Sequence, residues 1–314
     1  MAKISVIGAG NVGSTTAFLI AQKGLGDVAL VDIVEGLPQG KALDILQAMP
    51  IEGSNSSVVG SNDFKDISNS DIVVITAGIP RKPGMTREDL LIKNSEIIVG
   101  VCEHIKKYAP DSVVIVVTNP LDTMTYLTQK ITGFEYNRVI GQAGVLDSAR
   151  FVAFIKKELN ADIKEIKTLT LGSHGDSMVP VLSETKVEGK TISKILPKET
   201  TNKIIEKTKN GGGEIIALLK QGSAYYAPAA SVVKMIEVML KEQEDILPCS
   251  TYLTGQYGIN GVYIGVPVRL GKNGVKDIVK LKLSKEELIA LKNSAKICQE
   301  NIEHLESLLA KSKL

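Results

Sequence analysis

Short runs of β-branched and aliphatic residues recur through the first half of the chain, at residues 4–7, 28–31, 72–76, 113–117 and 139–140. Strands that are apolar on both sides belong to a sheet covered on both faces, which in practice means parallel strands joined by helices. The intervening stretches supply those helices, at 12–22, 39–48, 86–108 and 122–132. The alternation predicts an α/β Rossmann domain, a doubly wound parallel sheet, over residues 1–144. At about 150 residues per domain, a chain of 314 residues has room for a second, and 145–314 has a different character. A helix is expected from near Asp147 to near Leu159, then a strand over 166–171 and a tight hairpin over 184–191 around Val-Glu-Gly-Lys. Helices over 200–219 and 228–241 and three strands at 246–253, 261–268 and 275–281 follow. The last helix places Leu288, Leu291, Ala295, Cys298, Ile302, Leu305 and Leu309 at alternating spacings of three and four, one apolar face. This half reads as a mixed α+β substrate domain packed closely on the first.

Composition narrows the function classes. Thirty-seven basic and 35 acidic residues leave a net charge of +2, and they are dispersed, so no basic stripe for nucleic acid is present. No apolar run reaches the ~18 residues of a membrane span, and the N-terminus enters a strand at once, so no leader is expected. Cys102, Cys249 and Cys298 are too few and too scattered for a disulfide framework or a zinc site, and fit a reducing, cytoplasmic setting. No metal is expected.

Gly8-Ala9-Gly10-Asn11-Val12-Gly13 follows the first strand and opens a helix. In that context the G-x-G-x-x-G spacing gives a tight turn, close approach of a pyrophosphate to backbone N–H groups, and a helix N-terminus for the phosphates. Asp32 closes the second strand. A carboxylate there accepts from ribose hydroxyls and repels a 2′-phosphate, which points to NAD rather than NADP. The later strand ends, Thr76-Ala77-Gly78 and Val117-Thr118-Asn119, are expected beside the same cofactor, since ligands of open α/β sheets sit at the carboxyl ends of strands.

Only three histidines occur. His104 and His304 fall on predicted helices, where both are expected to be solvated. His174 lies in Leu171-Gly172-Ser173-His174-Gly175-Asp176-Ser177, a glycine-bracketed loop after a strand. Alone it reads as readily structural as catalytic. Asp147 and Arg150, three apart on one helical face, read alone as an exposed ion pair. Asn119 before Pro120 can cap the next helix, and Arg81-Lys82-Pro83-Gly84-Met85-Thr86-Arg87 can be a solvated basic loop.

Taken together these segments carry a resemblance. Gly-x-His-Gly-Asp, Val-Leu-Asp-Ser-Ala-Arg, Val-Thr-Asn-Pro-Leu-Asp and Arg-Lys-Pro-Gly-Met-Thr-Arg, in that family's order and spanning nearly the whole chain, resemble the lactate/malate dehydrogenases. The chain looks most like the bacterial lactate-dehydrogenase-like members that act on malate. The resemblance implies reversible NAD-dependent oxidation of (S)-malate to oxaloacetate, a step of the tricarboxylic acid cycle. It makes His174 the acid/base, with Asp147 on its other ring nitrogen. Arg150 would hold the substrate C1 carboxylate as a bidentate partner. Asn119 would bond the substrate oxygen and touch the cofactor, and Asn94 would contact the cofactor. The 77–87 loop would be a lid whose Arg87 polarises the reacting carbonyl.

Arg81 stands where lactate dehydrogenases carry glutamine, and it would meet the second carboxylate of a four-carbon diacid. Ala224, in the wall formed by Gln221–Pro228, replaces a threonine usual in lactate enzymes. Val152 replaces the arginine of the members activated by fructose 1,6-bisphosphate, so no such activation is expected. A homotetramer or homodimer is implied. A lactate dehydrogenase and a non-catalytic dinucleotide-binding sensor are the rival readings; Arg81 speaks against the first, and the intact His174, Asp147 and Arg150 set against the second.

Overall fold

The computed structural model describes residues 1–80 and 85–312. Six strands form a parallel sheet: β1 (Lys3–Ile7), β2 (Asp27–Val31), β3 (Val58–Ser61), β4 (Ile72–Ile75), β5 (Val113–Val116) and β6 (Val139–Gly141). Their spatial order is β3-β2-β1-β4-β5-β6. The crossover from β3 to β4 reverses the direction of winding and opens a crevice at the carboxyl ends of β1 and β4. Covering this sheet are α1 (Asn11–Gln22), α2 (Leu37–Glu52), α3 (Arg87–Tyr108) and α4 (Leu121–Thr132), and α5 (Gly144–Leu159) leads into the second half. Ile4, Val6, Val74 and Ile115 fill one side of the sheet and Ile7, Val73, Ile75 and Val114 the other. That is the two-sided burial their sequence predicts.

The edge strand β3 breaks the pattern. Val59 faces solvent, and Gly60 lies so close to α2 that a Cβ would sit 2.1 Å from the Pro38 carbonyl. A four-residue edge strand with one face exposed has no long apolar run, and its sequence gave no strand expectation.

The second half contributes β7 (Ile166–Lys167), β8 (Thr170–Leu171), β9 (Val179–Pro180), β10 (Lys186–Val187), β11 (Lys190–Thr191), α6 (Lys198–Leu219), α7 (Tyr226–Leu240), β12 (Ile246–Thr254), β13 (Asn260–Gly271), β14 (Gly274–Ile278) and α8 (Lys285–Ser312). Two expectations need correction here. The strand expected over 166–171 is two strands in different sheets: β7 joins the β10–β11 hairpin, and β8 pairs with β9. Buried Thr170 and Leu171 follow the more exposed Lys167, so one run changes environment midway. Helix α5 also begins a turn earlier than expected, at Gly144, where a Cβ would lie 2.4 Å from the Thr170 carbonyl.

The three late strands do not form a sheet of their own. They extend the parallel sheet antiparallel to it, with β12 meeting β6 at Ser250 and Gly141, giving nine strands in the order β14-β13-β12-β6-β5-β4-β1-β2-β3. One apolar core runs through both halves, from Ile4 and Ile20 to Val232, Met235 and Ile264. The α8 face forms as its spacing predicts: Leu291, Ala295, Cys298, Ile302 and Leu305 are buried.

A backbone bridge fixes the exit of β8. Gly172 and Gly265 exchange N–H···O bonds of 2.9 and 3.0 Å, and a Cβ on Gly265 would stand 2.5 Å from the Gly172 carbonyl. Gly265→Ala is therefore expected to destabilise the protein by about 1–3 kcal/mol through overpacking. Gly100→Ala, in α3 with nothing within 4 Å of the new methyl, is expected to stabilise it by about 0.5–1 kcal/mol. Urea unfolding of the two variants checks the opposite signs.

Candidate active site

The glycine turn divides its labour. At Gly8, φ is +105°, and a Cβ would lie 2.7 Å from both the Ala77 nitrogen and the Thr76 hydroxyl. At Gly13 a Cβ would fall 1.8 Å from the Gly8 carbonyl, so α1 reaches β1 only without a side chain there. Gly10 opens on free space instead, and it caps α1 with no side-chain hydrogen bond to the first helical amides. Those amides, exposed Asn11 and half-buried Val12 thus border an open, electropositive helix end suited to an anion. Asp32 holds the turn from the β2 side: one carboxylate oxygen accepts the Ala9 N–H at 2.6 Å and the other the Val34 N–H at 2.9 Å. The uncapped helix start, the space at Gly10 and the carboxylate at the end of β2 fit the pyrophosphate and ribose of NAD.

The ends of β4 and β5 are tied to each other. The Thr118 hydroxyl donates to the Ala77 carbonyl at 2.6 Å, and the Val117 N–H donates to the Ile75 carbonyl at 2.9 Å. Gly78 has no room for a methyl, which would meet Thr118 Cγ2 at 2.7 Å. Asn94, buried in α3, spends its amide on backbone: Oδ1 accepts from Ile79 N–H at 2.8 Å, and Nδ2 donates to the Asn119 carbonyl at 2.7 Å. It works as a clamp between two strand exits. Asn119 is exposed, and α4 starts at Leu121 with no side-chain cap. The capping alternative is therefore not realised.

In the second half, His174 Nδ1 lies 2.8 Å from Asp147 Oδ2, and Arg150 Nη1 lies 3.3 Å from Asp147 Oδ1. The side chains are 17%, 2% and 14% exposed for His174, Asp147 and Arg150 respectively. An ion pair between Asp147 and Arg150 does exist, but it is largely buried and shared with a histidine rather than exposed on a helix face. Burial pulls the imidazole toward its neutral form and Arg150 adds to that pull. The charge and hydrogen bond of Asp147 outweigh both, so the His174 pKa is raised above the ordinary histidine value. The stability carried by this pairing is full below about pH 6.5, the unfolded histidine value, and is lost as pH rises through the raised folded value. Around Arg150, α6 passes with Gly211 and Gly212, where an added methyl would lie 3.5 Å from the guanidinium stem and from Nη2.

Arg81 lies outside the described residues. Arg87 opens α3, but its side chain also lies outside them. Ala224 is half-buried just before α7, and Val152 is half-buried on α5. The expectation that both remaining histidines are solvated needs correction for His104, which stacks on Phe64 at 4.0 Å and 9°. His304 is about half exposed, 3.8 Å from Glu88.

The structure adds residues the sequence did not single out. Buried Asp122, in the first turn of α4, accepts the His174 backbone N–H at 3.1 Å and the Ser250 hydroxyl at 2.6 Å. Ser294 of α8 accepts the Ser173 N–H at 2.8 Å and meets Ser177 at 3.0 Å. In the sequence Asp122 showed only as the last residue of Val-Thr-Asn-Pro-Leu-Asp, with no role of its own.

This arrangement has close relatives. Residues 2–141 match the lactate/malate dehydrogenase NAD-binding domain, and residues 144–309 match the lactate/malate dehydrogenase α/β C-terminal domain. The chain belongs to the lactate/malate dehydrogenase family. A malate dehydrogenase of Chlorobium limicola is 54% identical over 309 residues, covering 98% of this chain and all of that one. The crystal structure of Cryptosporidium parvum malate dehydrogenase superposes with a TM-score of 0.94 at 46% identity, covering 98% of this chain and 99% of that one. The lactate dehydrogenase of Cryptosporidium parvum, solved with lactic acid and its nicotinamide cofactor, superposes with a TM-score of 0.93 at 42% identity, covering 97% and 98%. The family's NAD-binding domain is thus the parallel half described above.

Because the chain has three histidines, their ring resonances can be followed singly in an NMR pH titration. His174 is expected to titrate above the usual value of about 6.5. In Asp147→Asn it is expected to titrate lower than in the unaltered protein, since burial and Arg150 are then opposed only by the charge of Asp122. An unmoved midpoint would show that Asp147 is not what raises it.

Proposed function

We infer that the chain catalyses the reversible NAD-dependent oxidation of (S)-malate to oxaloacetate. The observation that carries this reading is the buried His174–Asp147–Arg150 constellation, whose loop is tied through Asp122 to the helix that follows the end of β5. When bound, NAD supplies the hydride acceptor. The chain's own residues handle the proton and the charges. With Nδ1 donating to Asp147, Nε2 is the ring atom left to take the alcohol proton, and Asp147 compensates the imidazolium that forms. In the reverse direction the protonated ring returns that proton to the carbonyl oxygen.

Arg150 holds the substrate C1 carboxylate with the guanidinium edge that Asp147 leaves unused, and Gly211 and Gly212 of α6 lie beside it. Asn119, exposed at the end of β5, bonds the substrate oxygen, while Asn94 fixes the Asn119 and Ile79 backbones at the cofactor edge. Gly8, Ala9, Gly10, Asn11, Val12 and Gly13 cradle the pyrophosphate, Asp32 takes the ribose hydroxyls, and Val117 and Thr118 line the nicotinamide side. Arg81 and Arg87 act from the lid, Arg87 on the reacting carbonyl and Arg81 on the C4 carboxylate.

The division of labour follows the chain: residues 1–144 hold the cofactor and 145–314 supply the acid/base and the C1 contact. Exposed Leu43 and Leu46 on α2, 58% and 42% accessible, support a homodimer or homotetramer. No described helix is long and apolar enough to cross a membrane, and three buried free thiols support a cytoplasmic location.

A lactate dehydrogenase is the second reading, favoured by the likeness to the Cryptosporidium parvum lactate enzyme. The two readings separate at Arg81, because a pyruvate methyl would leave its cation buried and unpaired in the closed site.

Oxidation of NADH with oxaloacetate, pyruvate and 2-oxoglutarate in parallel tests the assignment, with oxaloacetate expected to be strongly preferred. His174→Asn is expected to keep NADH binding and lose about 10²–10⁴-fold in kcat. Tight NADH binding without turnover of any 2-oxo acid would support the sensor instead.

Arg81→Gln is expected to weaken oxaloacetate and improve pyruvate, shifting the ratio of kcat/KM values by roughly 10³-fold. Equal losses on both substrates would reduce Arg81 to a general lid residue.

A further inference from the structure

Asp122 is a buried carboxylate that no step above uses. Its oxygens are both committed to distant segments: Oδ2 accepts the backbone N–H of His174, 52 positions away, and Oδ1 accepts the hydroxyl of Ser250 in β12, 128 positions away. A carboxylate at the start of a helix is ordinarily explained by the helix dipole and faces water. This one faces inward and accepts from two donors. The neighbouring amide of the same loop, Ser173 N–H, is held by a neutral hydroxyl, that of Ser294. Asp122 is therefore the charged anchor of the loop, three residues beyond Asn119 in sequence.

We propose that Asp122 is a positioning residue, fastening the His174 backbone to α4 and β12 while its charge supports the protonated imidazole. The clamp sets the height of the ring over Asp147 and joins the segment bearing Asn119 to the one bearing His174. Around the Asp122 carboxylate are His174 from the loop, Asp147 of α5 with Arg150 behind it, the Cys298 thiol of α8 and neutral Ser250 of β12. Burial pushes the Asp122 carboxyl up to about 6, while the Ser250 and His174 donors hold it down and Asp147 adds to the rise. As pH falls through that value the carboxylate gains a proton, and its support for the imidazolium is lost.

The proposal rests on the reading of His174 as the acid/base, so its test combines a rate with a titration that needs no turnover. Asp122→Ala, which removes clamp and charge, is expected to lower kcat by on the order of 10²-fold, the cost of about an ångström of misplacement, with the Kd for NADH unchanged. Asp122→Asn can keep both contacts if the Ser250 hydroxyl turns round. It is expected to retain more of the rate but to move the NMR midpoint of His174 downward, along with the pH at which oxaloacetate reduction declines. Should Asp122→Ala fail to fold, Ser250→Ala carries the rate arm, with a severalfold loss in kcat and a smaller downward shift of the His174 midpoint. A His174 midpoint unchanged in Asp122→Asn would overturn the proposal. So would a kcat within twofold of wild type in the alanine variant, or a loss of rate matched by an equal loss of NADH affinity. If the unaltered protein reduces no 2-oxo acid, the functional reading fails, and the His174 titration still decides the role of Asp122.

Discussion

The site is organised around one carboxylate. Asp147 is almost entirely buried and gives one oxygen to His174 and the other to Arg150. Neither partner sits well in the interior alone: an imidazolium loses its hydration there, and an unpaired guanidinium costs several kcal/mol. Sharing a single anion lets the chain keep an imidazole and a permanent cation side by side. It also sets them against each other, since Arg150 lowers the proton affinity that Asp147 raises. The protonation of His174 depends on which of these influences is larger, and that of Asp147 prevails.

The placement of α5 follows from the same need. The helix starts at Gly144, against the Thr170 carbonyl, so Asp147 and Arg150 project from its first turns toward the loop that leaves β8. The glycines of α6 serve the other side of Arg150. Three consecutive glycines, Gly211, Gly212 and Gly213, weaken a helix by about 1 kcal/mol each relative to alanine. Two of them face Arg150 at a distance where a methyl would make ordinary van der Waals contact.

Much of this could be read from residues alone, and what could not has identifiable physics. The five apolar runs announced the parallel sheet, because burial on both faces leaves a pattern independent of tertiary partners. The glycine turn was legible for a similar reason: the signal is local, a strand, a turn at Gly8 with φ of +105° and the start of a helix. Edge strand β3 was not legible, since half of it faces solvent. The split of 166–171 between two sheets and the joining of the late strands to the parallel sheet depend on contacts made far along the chain. Asp122 was invisible for that reason too: its partners lie 52 and 128 residues away, and nothing in Pro-Leu-Asp reveals that the acid turns inward. His104 looked like a surface residue until Phe64 was found beneath it.

The nine-stranded sheet has a consequence for the chain as a whole. The seam between its halves is narrow in hydrogen bonds, with β12 meeting β6 at a single residue pair, yet the apolar core continues through it and α7 lies along α1. The cofactor half is therefore not a module that could be lifted out intact. Cut after Gly144, it would present β6 as a bare edge and the α7-facing side of α1 as uncovered apolar surface, the features that make isolated fragments stick to one another. Division of labour here does not coincide with division of matter: two functional halves share one folding unit.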